Sequence, residues 1–149
     1  MELSTKTRYT VRALIELSIN YGEGPLMLKK VARRQDIPEK YLEQLMTPLR
    51  VQGIVYTIRG NRGGYVLARP PEELTLYEVV TSVTGSVAPV PCVEKEDFCQ
   101  RSEICAAREA WCEVYQSIVS TLQDYTMAQL AQRQLHKAPQ EDQPTDYTI

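Results

Sequence analysis

The stretch PCVEKEDFCQRSEIC carries Cys92, Cys99 and Cys105, three of the four cysteines of a 149-residue chain. A thiolate is both a nucleophile and a soft metal ligand, so three thiols spaced C-x6-C-x5-C point to metal binding or redox chemistry. That reading requires a compartment in which thiols stay reduced. The N-terminal MELSTKTRYTVRAL lacks the basic start, continuous apolar run and small-residue cleavage site of a signal peptide, so the expected location is the cytoplasm. The spacing departs from the compact C-x2-C pairs of a zinc ribbon, which makes zinc the weaker fit. Reactive or incidental thiols are the plain alternative.

Three thiols act together only if a fold positions them. The chain is 43% hydrophobic and 24% charged, enough for one domain with a real core, or a small domain with an appendage. No stretch approaches the ~20 apolar residues of a membrane span. The net charge of −2 conceals two unlike halves: residues 1–70 carry +6 and residues 71–149 carry −8. A basic front half on an acidic chain is the footprint of a polyanion-binding module with a second function behind it.

The patterning of that front half is specific. Ser4 is placed to cap a first helix reaching about Tyr21, with Val11, Leu14, Leu17 and Ser18 along one face. A short helix is expected over Leu28–Gln35, then a tight turn at Asp36-Ile37-Pro38. A third helix, EKYLEQLMTPLRVQ, has Leu42, Leu45, Met46 and Leu49 at amphipathic spacing and Gly53 at its stop. Pro48 is expected to kink or shorten its last turn. The period then changes: residues 54–58 and 65–68 flank RGNRGG and read as a hairpin. The fold class is therefore mainly α with a small β wing. Residues 1–70 form a winged helix-turn-helix DNA-binding domain. Residues 71–135 form a helical dimerisation region, with a cysteine loop over 86–105. Thr75 and Glu78 form a capping box. Behind the cysteines, Ile104, Ala107, Trp111, Val114, Ile118, Leu122 and Tyr125 make a narrow seam on a long helix, suited to a twin helix in a homodimer. A short helix over 127–135 and a disordered tail over 136–149, containing His136, complete the chain.

In such a fold the third helix enters the major groove of double-stranded DNA. Lys40 and Arg50 are candidates for phosphates, and Glu43 and Gln44 for base edges. Glu43 accepts only from cytosine and works largely by excluding other bases; an inert surface charge is its alternative. Arg59 and Arg62 in the hairpin turn suit a narrow minor groove. Arg8 and Tyr9 could reach the backbone, and Tyr9 could equally be half-buried core.

Taken together, KTRYTVRAL, IPEKYLEQLMTPLR, IRGNRGGYVLA, LTLYEVV, the three cysteines and the downstream helix with Trp111 resemble the IscR-type iron–sulfur cluster regulators, over about residues 1–135. Tyr41-Leu42-Glu43-Gln44-Leu45 matches that family's recognition helix. Arg59-Gly60 and Gly63-Gly64-Tyr65 match its wing. The resemblance implies a homodimer on palindromic operators and a 2Fe–2S cluster on Cys92, Cys99 and Cys105. It further implies control of cluster-assembly or stress genes, with cluster donor proteins as partners. It departs at the fourth ligand, where many members carry histidine three residues after the third cysteine. Here that residue is Arg108, which never ligates. Glu109, ~6 Å from Cys105 at i+4, and Cys112, ~10.5 Å along the helix, are the candidates on this helix, with a ligand from the partner chain or an exogenous small thiol as the alternatives.

The expected function is thus a sequence-specific transcription regulator modulated by the cluster. Its rivals are a cluster-free regulator sensing thiol oxidation or a partner, and an iron–sulfur scaffold or electron carrier. Catalysis is not expected: no histidine constellation or phosphate-cradling glycine loop is visible.

Overall fold

The computed structural model describes residues 2–137. The chain runs α1 (Thr5–Ile19), α2 (Leu28–Gln35), α3 (Glu39–Val51), β1 (Val55–Ile58), β2 (Gly64–Leu67), α4 (Leu76–Thr84), α5 (Ala106–Asp124) and α6 (Met127–Lys137). This is the mainly helical winged architecture that the patterning implies.

Ser4 caps α1, its hydroxyl accepting from the Thr7 amide at 3.2 Å. The helix stops at Ile19, two residues before the expected end, because Asn20 folds back and donates to the Gly24 carbonyl. Between α2 and α3 the chain turns through Asp36 at φ 52, which drops Ile37 into the core at 3% exposure. Asp is among the few residues that accept this left-handed conformation. α3 does not shorten at Pro48 but runs on to Val51. Proline removes only one amide, and that turn also holds the Thr47 hydroxyl on the Glu43 carbonyl. Leu42, Leu45, Met46 and Leu49 are all buried.

β1 and β2 pair antiparallel, Val55 opposite Leu67 and Ile58 opposite Gly64. Leu26, between α1 and α2, bridges Tyr65 through two backbone hydrogen bonds of 3.0 and 2.9 Å. The wing is thereby stitched to the helical body.

α4 begins in the expected capping box, with Thr75 and Glu78 satisfying each other's backbone amides. Its start is tied to the start of α6: Leu76 donates to the Tyr125 carbonyl and Met127 to the Leu74 carbonyl, both at 2.8 Å. Leu74, Val79 and Met127 pack in the same core as Ala13, Leu14 and Leu42, so α4 and α6 complete the core of the winged helix. α6 packs along α1 and extends to Lys137, two residues past its expected end. His136 is therefore in its last helical turn, not in a tail. The rest of the expected tail, residues 138–149, lies outside the described residues. The cysteine loop is also more ordered in form than its polar sequence implied: residues 91–93, 96–98 and 102–104 form 3₁₀ turns. Ile104 belongs to the last of these, and α5 starts after Cys105.

Candidate functional site

Two groups of residues carry the candidate chemistry, one on the basic face and one on the thiol segment. On the recognition helix α3, Lys40, Glu43, Gln44 and Arg50 are all exposed while the opposite face is buried. In the wing, Arg59, Gly60 and Arg62 are exposed in the β1–β2 turn, with Gly60 at φ 118. Arg8 is exposed on α1 and its guanidinium donates to the Thr5 hydroxyl at 3.1 Å. Tyr9 and Tyr41 differ from these. Both are half-buried against the core, their rings meeting edge to face at 6.0 Å, with the Arg12 guanidinium 5.1 Å over Tyr9. These two tyrosines are thus placed to fix the angle of α3 on α1.

Some of what holds this face was not visible as a motif. Glu16 is buried at 6% exposure, accepts from the Gln35 amide at 2.6 Å and pairs with Arg34 at 3.4 Å. Arg12 also grips Gln35, by its side-chain oxygen at 3.0 Å and by its backbone carbonyl. This network locks the end of α2 to α1 and so sets the helix-turn-helix geometry. A carboxylate on an apolar helix face was the available signal, since burial demands a cationic or donor partner. Lys29, Lys30 and Arg33, all exposed on α2, add cations to this half of the chain.

The thiol segment lies against α5. Cys92, Cys105 and Cys112 are half-buried free thiols, and Cys99 is exposed. Cys105 is the N-cap of α5, at the positive end of the helix dipole. Among the described residues no three His, Cys, Asp or Glu side chains stand close enough to hold a metal ion. Other contacts tie the segment to α5. Arg108 donates from Nε to the Cys92 carbonyl at 2.9 Å and pairs with Glu96 at 3.4 Å. The Tyr115 hydroxyl donates to Glu94 at 2.8 Å, and this bond, with burial and the Glu94 charge, pushes its pKa up to about 12. By donor chemistry the segment fits a two-iron cluster in three of its four positions. Cys112 shares the α5 face of Arg108 and Tyr115 by helical spacing, while Glu109 is exposed beside it.

α5 buries no side chain, although Trp111 and Val114 are 44% and 41% exposed and Ile118 and Leu122 continue the stripe. Its packing within the chain is against α4 and the turn at 91–93.

The family model for Rrf2, the iron-dependent transcriptional regulators, matches residues 3–133. The chain belongs to the Rrf2 family. Among Rrf2-type relatives, the HTH-type transcriptional regulator CymR of Bacillus subtilis is 38% identical over 131 residues, 88% of this chain and 90% of CymR. The regulator IscR of Serratia proteamaculans is 36% identical, covering 90% of this chain and 81% of IscR. The solved structure of CymR, described as the global cysteine regulator of B. subtilis, superposes with a TM-score of 0.77 at 36% identity, covering 89% of this chain and 98% of CymR. That of T. potens IscR gives 0.74 at 32%, covering 94% and 93%. The Rrf2 membership makes the chain a transcription regulator with a winged DNA-binding fold. No described helix is long and apolar enough to cross a membrane.

Proposed function

We propose that this Rrf2 protein acts in the cytoplasm as a homodimer on palindromic operator DNA, and that the Cys92–Cys105 segment takes a 2Fe–2S cluster that modulates operator binding. Genes of iron–sulfur cluster assembly are the expected targets, and cluster donor proteins the source. The observation that carries the reading is the position of α5. Its N-cap is Cys105, its apolar stripe is exposed at Trp111 and Val114 and half-buried at Ile118 and Leu122, and it packs on α4. α4 in turn holds the end of the recognition helix through Gln52 and Ser82, and the end of the wing through Arg69 and Glu78. One helix therefore serves thiols, partner and reading head.

Cys92, Cys99 and Cys105 would hold the cluster, with Glu109 and Cys112 as the candidates for fourth ligand. When bound, the group supplies one-electron and oxygen-sensitive chemistry. The chain's own part is to present thiolates at a helix N-terminus, and to pass a change in the segment through α5 and α4 to the DNA face. The recognition helix then reads through Gln44 and Glu43, with Lys40, Arg50, Arg59 and Arg62 on phosphates and the minor groove. Tyr41 and Tyr9 hold that helix, Gly60 shapes the wing tip, and Arg8 reaches the flanking backbone. A coupling of about 1–3 kcal/mol suffices for such control.

A second reading has its own support. Arg108, which does not ligate iron, stands where the resemblance leads one to expect a ligand, and it ties the segment to α5 through the Cys92 carbonyl and Glu96. This favours a cluster-free regulator sensing thiol oxidation or a partner. Anaerobic isolation with iron, sulfide and visible-absorption analysis separates the two. The cluster reading expects iron and sulfide in equal amounts, lost on replacing Cys92, Cys99 or Cys105. A colourless, iron-free protein that binds its operator unchanged overturns it. Failure to select any genomic operator would instead favour a scaffold or electron carrier.

A further inference from the structure

We propose that Arg108 and Tyr115 form a two-point clamp that shields the Cys92 end of the thiol segment while leaving Cys99 open, so that thiol-directed ligands meet Cys99 first. Of the three thiols, Cys99 alone is exposed, and every residue from 94 to 101 around it is exposed as well. Cys92 lies half-buried in the 91–93 turn that packs on α5.

Two side chains of α5, seven residues apart and so on one face, reach the segment within that turn and just after it, at residues 92, 94 and 96. Arg108, itself only 19% exposed, donates from Nε to the Cys92 carbonyl at 2.9 Å, and its Nη2 reaches Glu96 at 3.4 Å. A guanidinium carries several donors in a rigid plane and can hold two acceptors at once; an ammonium cannot hold the same pair with that geometry. Tyr115 donates to Glu94 Oε1 at 2.8 Å, and the same oxygen accepts from the Ser86 hydroxyl at 2.9 Å. Glu94 thus joins the start of the loop, the turn and the helix. The clamp grips backbone and carboxylates and makes no bond to a sulfur, so it does not depend on the state of the thiols.

The clamp also gives Arg108 a role consistent with its place in the sequence. It is a positioning residue: it fixes the backbone at Cys92 against α5 and so limits access to that thiol until the segment moves. The inference rests on this segment being the effector site, but its readout does not depend on a cluster.

The test is time-resolved labelling of the full-length, cluster-free protein with iodoacetamide, followed by mass spectrometry at each cysteine. Cys99 is expected to react first and the half-buried, clamped Cys92 about ten-fold more slowly. Arg108→Ala should bring Cys92 close to the Cys99 rate and leave Cys99 itself unchanged. Arg108→Lys should fall between, and Tyr115→Phe should give a smaller rise. Equal rates at Cys92 and Cys99 in the parent, or a Cys92 rate indifferent to Arg108→Ala, overturn the clamp. If Arg108→Ala raises all four thiols together, the fold has been lost, and Tyr115→Phe, which removes only the hydroxyl on Glu94, decides: no rise at Cys92 overturns the clamp, and a selective rise supports it. Iron and sulfide content, measured separately, reads the cluster proposal. A chain that never takes up iron but shields Cys92 through Arg108 keeps the clamp and loses the cluster.

Discussion

The side-chain amide of Gln52 donates to the Ser82 carbonyl at 3.0 Å, joining the C-cap of the recognition helix to α4. The bond crosses thirty positions of sequence and is exposed, so its direct contribution to stability is small, under about 1 kcal/mol. Its expected weight is in coupling, because α4 is the element on which α5 packs. Gln52→Ala should leave the unfolding midpoint nearly unchanged. It should shrink the ratio of operator affinities between effector-bound and effector-free protein. Fluorescence anisotropy on operator DNA in both states measures that ratio, and an unaltered ratio removes α4 from the route.

Gly64 is required by a close approach. A Cβ there would stand 2.3 Å from the Leu26 carbonyl oxygen and 2.9 Å from the Met27 nitrogen, both backbone atoms that cannot swing aside. Gly64→Ala should therefore break the bridge between Leu26 and Tyr65 and cost about 2 kcal/mol or more, in the range of strained backbone substitutions. Urea denaturation checks the cost. Operator affinity should fall as well, because the wing loses its tie to the body.

The winged helix was legible because its signals are local. Ser4, the Thr75–Glu78 box, Gly53 and the leucine spacing of α3 each act over a few residues, and all stand where expected. What was not legible depends on contacts distant in sequence. Glu16 gave no motif, because its partners Gln35 and Arg34 are eighteen or more positions away. The return of α6 onto α1 was likewise hidden, since Met127 and Ala131 look like any apolar pair until α1 covers them. For the thiols, spacing gave a candidate ligand set but not the contacts of Arg108 and Glu94 that tie the segment to α5. Loop hydrogen bonds of this kind have no periodicity to read.

Glu78 supplies a pH dependence with a definite sign. Burial alone would raise its pKa, but the hydrogen bond from Arg69, the Thr75 amide, the Arg69 charge and the Thr75 hydroxyl outweigh it and hold the carboxyl below its ordinary 4.5. The folded state thus favours the ionised form. The associated stability is fully present above pH 4.5 and is lost as pH falls through the lowered value. Because the Arg69–Glu78 pair is about two-fifths exposed on both sides, solvent screening keeps the effect modest. Glu78→Gln should flatten this part of the acid-stability curve, measured by urea unfolding from neutral pH down to about pH 3. It should also weaken the cap of α4, since Glu78 accepts from the Thr75 amide at 3.0 Å.

On the DNA face, the cations and the Glu43 carboxylate should separate cleanly in their effects. Lys40, Arg50, Arg59 and Arg62 are exposed and their expected partners are phosphates or the minor groove. Replacing Lys40 or Arg50 by Ala should weaken binding to all sequences alike and reduce the slope of log affinity against log salt by about 1 per contact removed. Glu43 should behave in the opposite way. A carboxylate near phosphates is repelled unless a cytosine amino group is there to donate to it, so its contribution is to penalise other bases. Glu43→Ala should leave affinity for the best operator nearly unchanged or slightly higher, and raise affinity for operators lacking that cytosine by about ten-fold, matching the ~1–3 kcal/mol carried by a base contact. Binding to a panel of operator variants, with and without the effector, measures both effects. If Glu43→Ala discriminates among the panel as the parent does, the carboxylate is a bystander on the helix surface, and sequence choice rests with Gln44 and the wing.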